Sequence, residues 1–348
     1  MGVDLKDIIP KEIIEEIEFP YLKGKVIAID AYNAIYQFLS TIRQQDGTPL
    51  RDSSGRITSH LSGILYRTTN FLELQIKVVY VFDGKPPELK EMELLMRKKR
   101  KEEAIKRYEE AIRIGDLKLA KTYAQQTAQL NEEMVNEVKL LLDALGIPWV
   151  QAPSEGEAQS AYMTRKGDVW ATASQDYDSL LFGTPRLLRN LTISGRRKLP
   201  RKDVYVEVKP EMLYLDRILK TLEISLEQLI EIGILIGTDY NPEGVEGVGP
   251  KTALKLIKQH GSLQEALKAL NFKTEPFSDL LQIKQLFLKP NTTSDYKLEW
   301  KKPDKEKVIQ ILCEEYDFSK ERVEKALDRV LKIYEEETKQ TTLKKWFK

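Results

Sequence analysis

Seven acidic residues stand at positions from which their carboxylates could meet in one cleft. They are Asp30, Asp83, Glu155, Glu157, Asp176, Asp178 and Asp239. Such a set would repel strongly at neutral pH unless bound cations compensated it. Two Mg²⁺ ions about 4 Å apart, held by shared carboxylates, would make the arrangement tolerable and would also support phosphodiester hydrolysis.

The composition limits which ions such a site would take. With two histidines, His60 and His260, and one cysteine, Cys313, a zinc site built from His and Cys is close to excluded. Oxygen ligands point instead to magnesium, calcium or manganese. The 348 residues carry a net charge of only +1, so a nucleic-acid surface would have to be a local basic patch.

Three apolar runs predict the elements that position the acids. "KVIAID" ends at Asp30, "KVVYVFD" at Asp83 and "VWATASQD" at Asp176, with helical patterns between them. Runs with so little alternation are typical of strands buried on both faces. They predict an α/β fold with a largely parallel central sheet and helices on both faces, where functional groups gather beyond the carboxyl ends of the strands. Residues 222–236 predict one further apolar helix.

Each acidic stretch also has a plainer interpretation. Ser154 to Glu157 matches the S-x-x-E capping box, with Ser154 as N-cap, and this reading is favoured for the stretch alone. A lone Asp239 is more often a turn residue or a helix end. Residues 97–107, with seven Lys or Arg and two Glu, equally suit a solvated helix. The acids favour the functional interpretation because they are predicted to share one rim.

The successive motifs resemble one family. "IAIDAYNAIYQFL", "YVFDGKPPELK", "APSEGEAQ", "SQDYDSLLFGT" and "GTDYN…GVEGVGPKTALKLI" are similar, in this order, to the motifs of the flap endonucleases, and of an archaeal-type member in particular. The resemblance implies structure-specific removal of 5′ flaps at duplex junctions by two-metal hydrolysis, in lagging-strand maturation and base excision repair, with 5′–3′ exonuclease activity. All seven acids would then serve two Mg²⁺ ions, directly or through water, with Mn²⁺ as a substitute.

The resemblance also implies which residues contact DNA. Lys90 and Arg97 would act in catalysis at the scissile phosphate, and residues 90–134 would form a helical arch under which the flap threads. Tyr36 would stack on a base, and Gly2 would lie near the DNA once Met1 is removed. The full implied DNA-binding set is Gly2, Tyr36, Arg43, Thr58, Ser59, Lys90, Arg97, Gly247, Gly249 and Lys251.

The stretch "GVEGVGPKTALKLI" is the expected duplex-binding element. Its glycines before Pro250 could be an ordinary turn with Pro at a helix start. They also resemble the helix–two-turn–helix element that holds duplex DNA and a K⁺ ion, with backbone N–H groups at a helix N-terminus and Lys251 facing phosphates. Thr58 and Ser59 match the region that grips the 3′ end of the upstream strand.

The last residues resemble a sliding-clamp-binding box. Gln340, Leu343, Trp346 and Phe347 fit the spacing Q-x-x-aliphatic-x-x-aromatic-aromatic. Polar tails seldom expose Trp and Phe together, and this spacing would place an apolar plug on one helical turn. The implied partner is the clamp PCNA, which would stimulate cleavage.

These inferences predict one 5′ nuclease domain over residues 1–335, followed by a clamp-binding tail over 336–348. Within the domain we expect a nuclease part at about 1–89, the arch, a second nuclease part at about 135–260 and a helical C-terminal part at about 261–335. We expect a monomer inside the cell, cytoplasmic or nucleoid-associated in an archaeon. The alternatives are a repair nuclease that cuts bubbles, whose relatives carry a longer insertion, and a non-catalytic DNA-junction or clamp-adaptor protein.

Overall fold

A computed structural model of the protein describes residues 2–44, 47–124, 127, 129–192, 195–198, 205–271 and 277–346. Side chains are not described for residues 91–94, 117–118, 121, 195–198, 205–207, 277–278 and 337–346. Phe347 of the expected clamp-binding box lies outside the described residues. Gln340, Leu343 and Trp346 lie in a helix whose backbone alone is described there.

The elements alternate between strands and helices through the first half of the chain. The strands are β1 (Glu15–Glu16), β2 (Val26–Asp30), β3 (Lys77–Phe82), β4 (Trp149–Gln151), β5 (Ala171–Ala173), β6 (Arg186–Arg189), β7 (Gly195–Lys198), β8 (Tyr205–Val208) and β9 (Glu211–Tyr214). The helices before β6 are α1 (Ala31–Thr41), α2 (Ser59–Glu73), α3 (Glu91–Arg113), α4 (Leu117–Ala124), α5 (Glu132–Ala144), α6 (Gly156–Lys166) and α7 (Asp178–Leu181).

The second half is mainly helical. Its helices are α8 (Leu215–Leu222), α9 (Leu226–Ile236), α10 (Pro250–His260), α11 (Leu263–Ala269), α12 (Phe277–Leu288), α13 (Lys305–Ile309) and α14 (Lys320–Trp346). A π-helical stretch, Gln310–Glu315, joins the last two. Among the helices of the described residues, none is both long and apolar enough to cross a membrane.

The central sheet has seven strands in the order β1-β9-β6-β5-β2-β3-β4. Strands β6, β5, β2, β3 and β4 are mutually parallel, while β9 pairs antiparallel with both β6 and β1. Strands β7 and β8 form a separate antiparallel pair. The chain proceeds from β2 outward to β4 and then returns to β5 on the other side of β2. The carboxyl ends of β2 and β5 therefore meet at a topological switch point, where α/β folds place their sites.

Strand β2 shows why the sheet is buried on both faces. Ile27 and Ile29 pack on one side against α1, α2 and α5, whereas Ala28 packs on the other against Val81 and Met163. These three residues of β2 are at most 1% exposed. This two-sided burial confirms the predicted α/β class, with a largely parallel sheet covered by helices on both faces.

Two sequence-based boundaries were wrong. The strand expected to end at Asp176 ends at Ala173, because the Asp176 amide turns to donate to the Ser174 hydroxyl at 3.3 Å. Asp178 then begins the short helix α7. The helix expected at 222–236 begins at Leu226: Leu222 is the last residue of α8, Glu223 takes a left-handed conformation (φ 54°) that ends that helix, and a Ser225–Gln228 capping box starts α9.

Candidate active site

Asp30 and Asp83 stand at the carboxyl ends of neighbouring strands. The Asp30 side chain accepts the Asn33 amide N–H at 3.0 Å and so caps α1, which begins directly after β2. Asp83 follows β3 by one residue and accepts the Gly156 amide N–H at 2.6 Å, at the start of α6. A Cβ at position 156 would lie 2.9 Å from the Asp83 carboxylate, so this approach depends on glycine.

Asp176 and Asp178 lie on the turn that joins β5 to α7. Asp176 accepts a hydrogen bond from the Asn33 side-chain amide at 3.0 Å, so Asn33 links the acids that follow β2 and β5. Asp178 accepts the Val3 amide N–H at 2.6 Å and is 6% exposed. The N-terminal segment therefore packs directly onto the acidic turn.

Glu155 and Glu157 flank the first residue of α6, but they do not form the capping box. Glu155 itself is the N-cap and makes no side-chain capping hydrogen bond, so the interpretation with Ser154 as N-cap was wrong. Glu157 points toward the acidic turn and accepts hydrogen bonds from Ser174 at 2.8 Å and Ser179 at 3.1 Å. Glu155 accepts a hydrogen bond from the Tyr240 hydroxyl. Both carboxylates thus make their hydrogen bonds within the cleft.

Two basic side chains reach into the cleft from the start of α3. The Lys90 ammonium lies 2.5 Å from a Glu155 oxygen and 3.0 Å from an Asp239 oxygen. Arg97, two turns along, reaches the same Asp239 oxygen at 2.9 Å. Asp239 is therefore an ion-pair partner on the turn after α9 as well as a turn residue. The basic pair expected at the scissile phosphate is engaged with the acids.

The pKa values show a cleft with excess negative charge. Burial, followed by the charge of Asp83, raises the pKa of Asp30 to about 8. Burial, followed by Asp239, raises the pKa of Asp178 to about 8. Burial also raises the pKa of Glu157 and of Asp83.

The part of the cleft next to the basic pair behaves in the opposite way. Burial opposes ionisation of Asp239, but the charges of Lys90 and Arg97 lower its pKa below the ordinary value. Burial likewise opposes the charge on Lys90, yet Glu155 and Asp239 raise the pKa of its ammonium. The basic pair thus favours the charged form of Asp239, whereas burial and mutual repulsion disfavour the charged forms of Asp30, Asp178 and Glu157, so a further cation would be favoured among those three.

The donor set suits a hard divalent cation. All seven side chains offer carboxylate oxygens, and electrostatic coupling links each of them to at least one other acid of the set. The Lys90 ammonium, between Glu155 and Asp239, shows that the cleft stabilises positive charge. Within the described residues, no three acidic, His or Cys side chains already stand as a closed metal cage. The chemistry of the donors fits a site for a hard divalent cation, although the described side chains are not arranged as a closed cage.

Gly2 lies against the acidic turn, which supports its predicted place at the site. A Cβ at this position would lie 2.7 Å from an Asp178 oxygen and 2.8 Å from the Asp176 Cβ. We expect Gly2→Ala to raise the Mg²⁺ concentration for half-maximal cleavage about tenfold, because overpacking of about 1–3 kcal/mol would displace the turn. A magnesium titration of initial cleavage rates would check this. The exposed Asp4→Asn is the control in the same segment, and an unshifted Gly2→Ala curve would contradict the expectation.

The other expected DNA contacts of the N-terminal part lie on or near α1 and α2. Tyr36 is 42% exposed on α1, as a base-stacking residue requires. Arg43 donates to the carbonyls of Leu39 and Gly47, both at 2.9 Å. Thr58 and Ser59 are buried at the start of α2, where the Ser59 hydroxyl donates to the Ile42 carbonyl at 2.7 Å. Tyr36 thus presents its side chain to solvent, whereas Ser59 is bonded within the protein.

The expected duplex-binding element joins α9 to α10. Gly247 has a φ of 77°, and Gly249 is the N-cap of α10, with Pro250 as the first helical residue. A Cβ at either glycine would meet nothing within 4 Å, and Lys251 is exposed. The backbone here is open to an approaching ligand at a helix N-terminus.

The expected arch consists of α3 and α4, which pack on each other. The Arg107 guanidinium of α3 lies 5.9 Å from the Tyr123 ring of α4. The basic residues 98–100 of α3 are exposed, and Arg97 ties the helix to Asp239. The boundaries of the arch and of the other parts remain predictions.

Several residues of the site were missed by sequence reasoning. Asn33, Ser174, Ser179 and Tyr240 each donate a hydrogen bond to one of the seven acids. Ser174 and Tyr240 stand within two residues of predicted acids, which was the available signal. Asn33 lies 143 residues from its partner Asp176, so no local pattern could reveal the pairing.

Comparison with known proteins places these features in a family. The model of the XPG N-terminal domain matches residues 1–104, and that of the XPG I-region matches 146–239. Flap endonuclease 1 of Hyperthermus butylicus is 62% identical over 339 residues, covering 97% of this chain and 96% of that protein.

Solved structures agree. The flap endonuclease-1 of Methanococcus jannaschii is 44% identical, with a TM-score of 0.76 over 97% of this chain and 100% of that chain. The catalytic core of Rad2 in complex with DNA substrate, at 23% identity and a TM-score of 0.69, covers 95% of this chain and 100% of its own and shares the fold. Full-length identity of this order, with both family regions in place, confirms the expected resemblance: the chain belongs to the flap endonuclease family.

Proposed function

We propose that the seven carboxylates bind two divalent cations, Mg²⁺ before other ions, and that this centre cleaves the flap strand. As a member of its family, the protein is a structure-specific flap endonuclease that hydrolyses DNA phosphodiester bonds, and such nucleases are typically metal-dependent. The observation that most directly supports this proposal is the cleft itself. Buried acids from several separate chain segments meet there, and nearby basic groups compensate their negative charge only in part. When bound, the cations would supply an activated water and stabilise the leaving oxygen.

Lys90 and Arg97 would hold the scissile phosphate. Both already reach into the cleft, where they pair with Glu155 and Asp239. Once those carboxylates are neutralised by other cations, the two side chains are released toward an incoming phosphate. Arg97 can bind such an oxyanion through its planar fork, while Lys90 acts as a compact point charge. The pair would thereby align the phosphate and stabilise the charge that develops on it.

Branched DNA would contact three further surfaces. The exposed basic residues of α3 would attract the single-stranded flap, and Tyr36 would stack on a base beside the cleft. The Gly247–Lys251 turn would hold duplex phosphate through backbone N–H groups, with K⁺ as an additional ligand there. The complex of the Rad2 core with DNA substrate supports a DNA-binding role for this fold. We also propose 5′–3′ exonuclease activity and roles in lagging-strand maturation and base excision repair.

Cleavage of a 5′-labelled double-flap DNA tests the proposal. We expect the full chain to release the flap in Mg²⁺ and in Mn²⁺, and to stop when the ions are chelated. Binding without cleavage in either ion would favour the non-catalytic junction-binding alternative. Faster cleavage of a bubble substrate than of the double flap would favour the bubble-cutting alternative.

We propose that the C-terminal box binds the sliding clamp PCNA. The backbone of α14 runs through Gln340, Leu343 and Trp346 as one helix, so that these residues recur at the spacing of a helical face. Deleting residues 340–348 should abolish the stimulation of flap cleavage by PCNA, measured as the ratio of rates with and without the clamp. A ratio unchanged by the deletion would contradict the assignment. We further propose a monomer that acts on chromosomal DNA inside the cell.

A further inference from the structure

Strand β5 is held at both ends by arginines of its neighbour β6. At the amino end, the Arg186 Nε donates to the Trp170 carbonyl at 2.5 Å, and its guanidinium lies 5.5 Å from the Trp170 ring. At the carboxyl end, the Arg189 Nε donates to the Gln175 carbonyl at 3.1 Å. The two arginines thus make equivalent backbone contacts, one far from the acids and one beside them.

Arg189 makes additional contacts on the acidic turn. Its Nη1 donates to the Tyr177 hydroxyl at 2.6 Å, and its guanidinium lies 4.2 Å from the centre of the Tyr177 ring. The same Nη1 lies 3.3 Å from a Glu211 oxygen on β9, and the Arg189 side chain is 19% exposed. Arg189 therefore contacts both neighbours of Asp176, Gln175 and Tyr177. Its guanidinium is itself held by the ion pair with Glu211.

The acidic turn needs such an anchor. Strand β5 is only three residues long, so few ladder hydrogen bonds restrain the turn at its carboxyl end. Beyond the strand, Asp176 accepts a hydrogen bond from the Asn33 side chain and Asp178 accepts one from the Val3 amide, so contacts from other parts of the chain hold the turn in place.

We propose that Arg189 is a positioning residue that keeps the Gln175–Asp178 turn in the arrangement that binds divalent cations. The inference rests on the proposed metal-dependent function, and it assigns to Arg189 no contact with substrate. When only a fraction of molecules has the binding-competent turn, the apparent metal affinity falls by that fraction. The maximal rate is unaffected, since saturating metal selects the competent form. A positioning role therefore changes the metal dependence of cleavage and leaves the plateau unchanged.

The matched variants are Arg189→Lys and Arg186→Lys. A lysine keeps the charge but loses the rigid, planar fork that lets one guanidinium donate from Nε to Gln175 and from Nη1 to Tyr177 in a fixed geometry. We expect Arg189→Lys to raise the half-saturating Mg²⁺ concentration for flap cleavage about 10-fold, as loss of a ligand's outer-shell support typically does, with the wild-type rate regained at saturation. Arg186→Lys, on the same strand, should leave the Mg²⁺ curve at its wild-type position. Thermal unfolding of both variants reports any general loss of stability.

A second measurement does not depend on cleavage. Mn²⁺ is titrated into the full chain without DNA, and the free ion is counted by its electron paramagnetic resonance signal. Arg189→Lys should weaken Mn²⁺ binding by a factor similar to the Mg²⁺ shift, while Arg186→Lys should not. Tyr177→Phe, which removes just the hydroxyl that accepts from Arg189, should shift both curves in the same direction by less.

The outcomes separate the inference from the proposed function. A wild-type chain that neither binds Mn²⁺ nor cleaves would overturn the metal-dependent function itself. If the wild type does both, equal metal curves for Arg189→Lys and Arg186→Lys would overturn the positioning role. If Arg189→Lys does not fold, the Tyr177→Phe curves decide, and wild-type curves for that variant would overturn the role.

Discussion

Asp178→Asn should lower flap cleavage at saturating Mg²⁺ by at least about 10³-fold. A metal ligand at a phosphoryl-transfer centre contributes several kcal/mol of charge stabilisation in the transition state, and a loss of about 4 kcal/mol corresponds to this factor. Asparagine keeps an acceptor for the Val3 amide, which donates to Asp178 at 2.6 Å. The loss should thus come from the missing charge, with the fold kept. Single-turnover release of a 5′-labelled flap measures it.

The same substitution should have the opposite effect on stability without metal. Asp178 is 6% exposed, and the charges of Asp239 and Asp176 add to burial in raising its pKa. Removing one of several repelling carboxylates should therefore raise the melting temperature in a chelator. Asp143→Asn is the matched control, since this exposed aspartate also accepts one hydrogen bond, from the Trp149 indole at 3.0 Å. Wild-type cleavage by Asp178→Asn would remove Asp178 from the metal site.

The sequence allowed the fold class to be predicted because strand burial leaves a local pattern. "KVIAID" corresponds closely to β2, and its residues 26–29 are all apolar because helices cover both faces of the sheet. The end of β5 was expected at Asp176 but lies at Ala173. The residues that follow, Ser174 and Gln175, are polar, and a hydrogen bond from the Asp176 amide to Ser174 begins the turn. Hydrophobicity specifies burial here, while local polar bonds specify where the strand stops.

The division between α8 and α9 was, in contrast, visible in the sequence. Ser225 and Gln228 have the S-x-x-Q spacing of a capping box, and the structure contains both of its hydrogen bonds. The periodic apolar residues on either side concealed it. At this boundary the capping residues, and not the continuous periodicity, indicate where the helix begins.

The acids of the site could be predicted, but their partners from distant parts of the chain could not. An acid after a buried strand is conspicuous by its residue type and position. The bonds from Val3 to Asp178 and from Asn33 to Asp176 join residues 175 and 143 positions apart. They depend on which strands become neighbours, because β5 returns to the far side of β2. The order of the strands in the sheet thus decides which distant residues donate hydrogen bonds to Asp176 and Asp178.

Lys90→Met is the second substitution with a large expected effect, because Lys90 supplies positive charge both in the free protein and during the proposed reaction. In the free protein, Lys90 compensates Glu155 and Asp239, at 2.5 and 3.0 Å. In the reaction, it would stabilise charge on the scissile phosphate. We expect the maximal cleavage rate at saturating Mg²⁺ to fall about 10²–10³-fold, as when one preorganised donor is lost. Lys90→Arg should restore part of this rate, since it keeps a cation at the position.

The dual role predicts that metal rescues stability but not catalysis in Lys90→Met. In a chelator, the variant should lose up to about 3 kcal/mol of unfolding free energy, because two partly buried carboxylates lose a partner. In Mg²⁺ its melting temperature should return toward the wild-type value, since bound cations then compensate Glu155 and Asp239. Lys85→Met, an exposed lysine of the same segment, should change neither quantity. Recovery of the cleavage rate together with the melting temperature would mean that Lys90 neutralises the empty cleft and takes no part in the reaction.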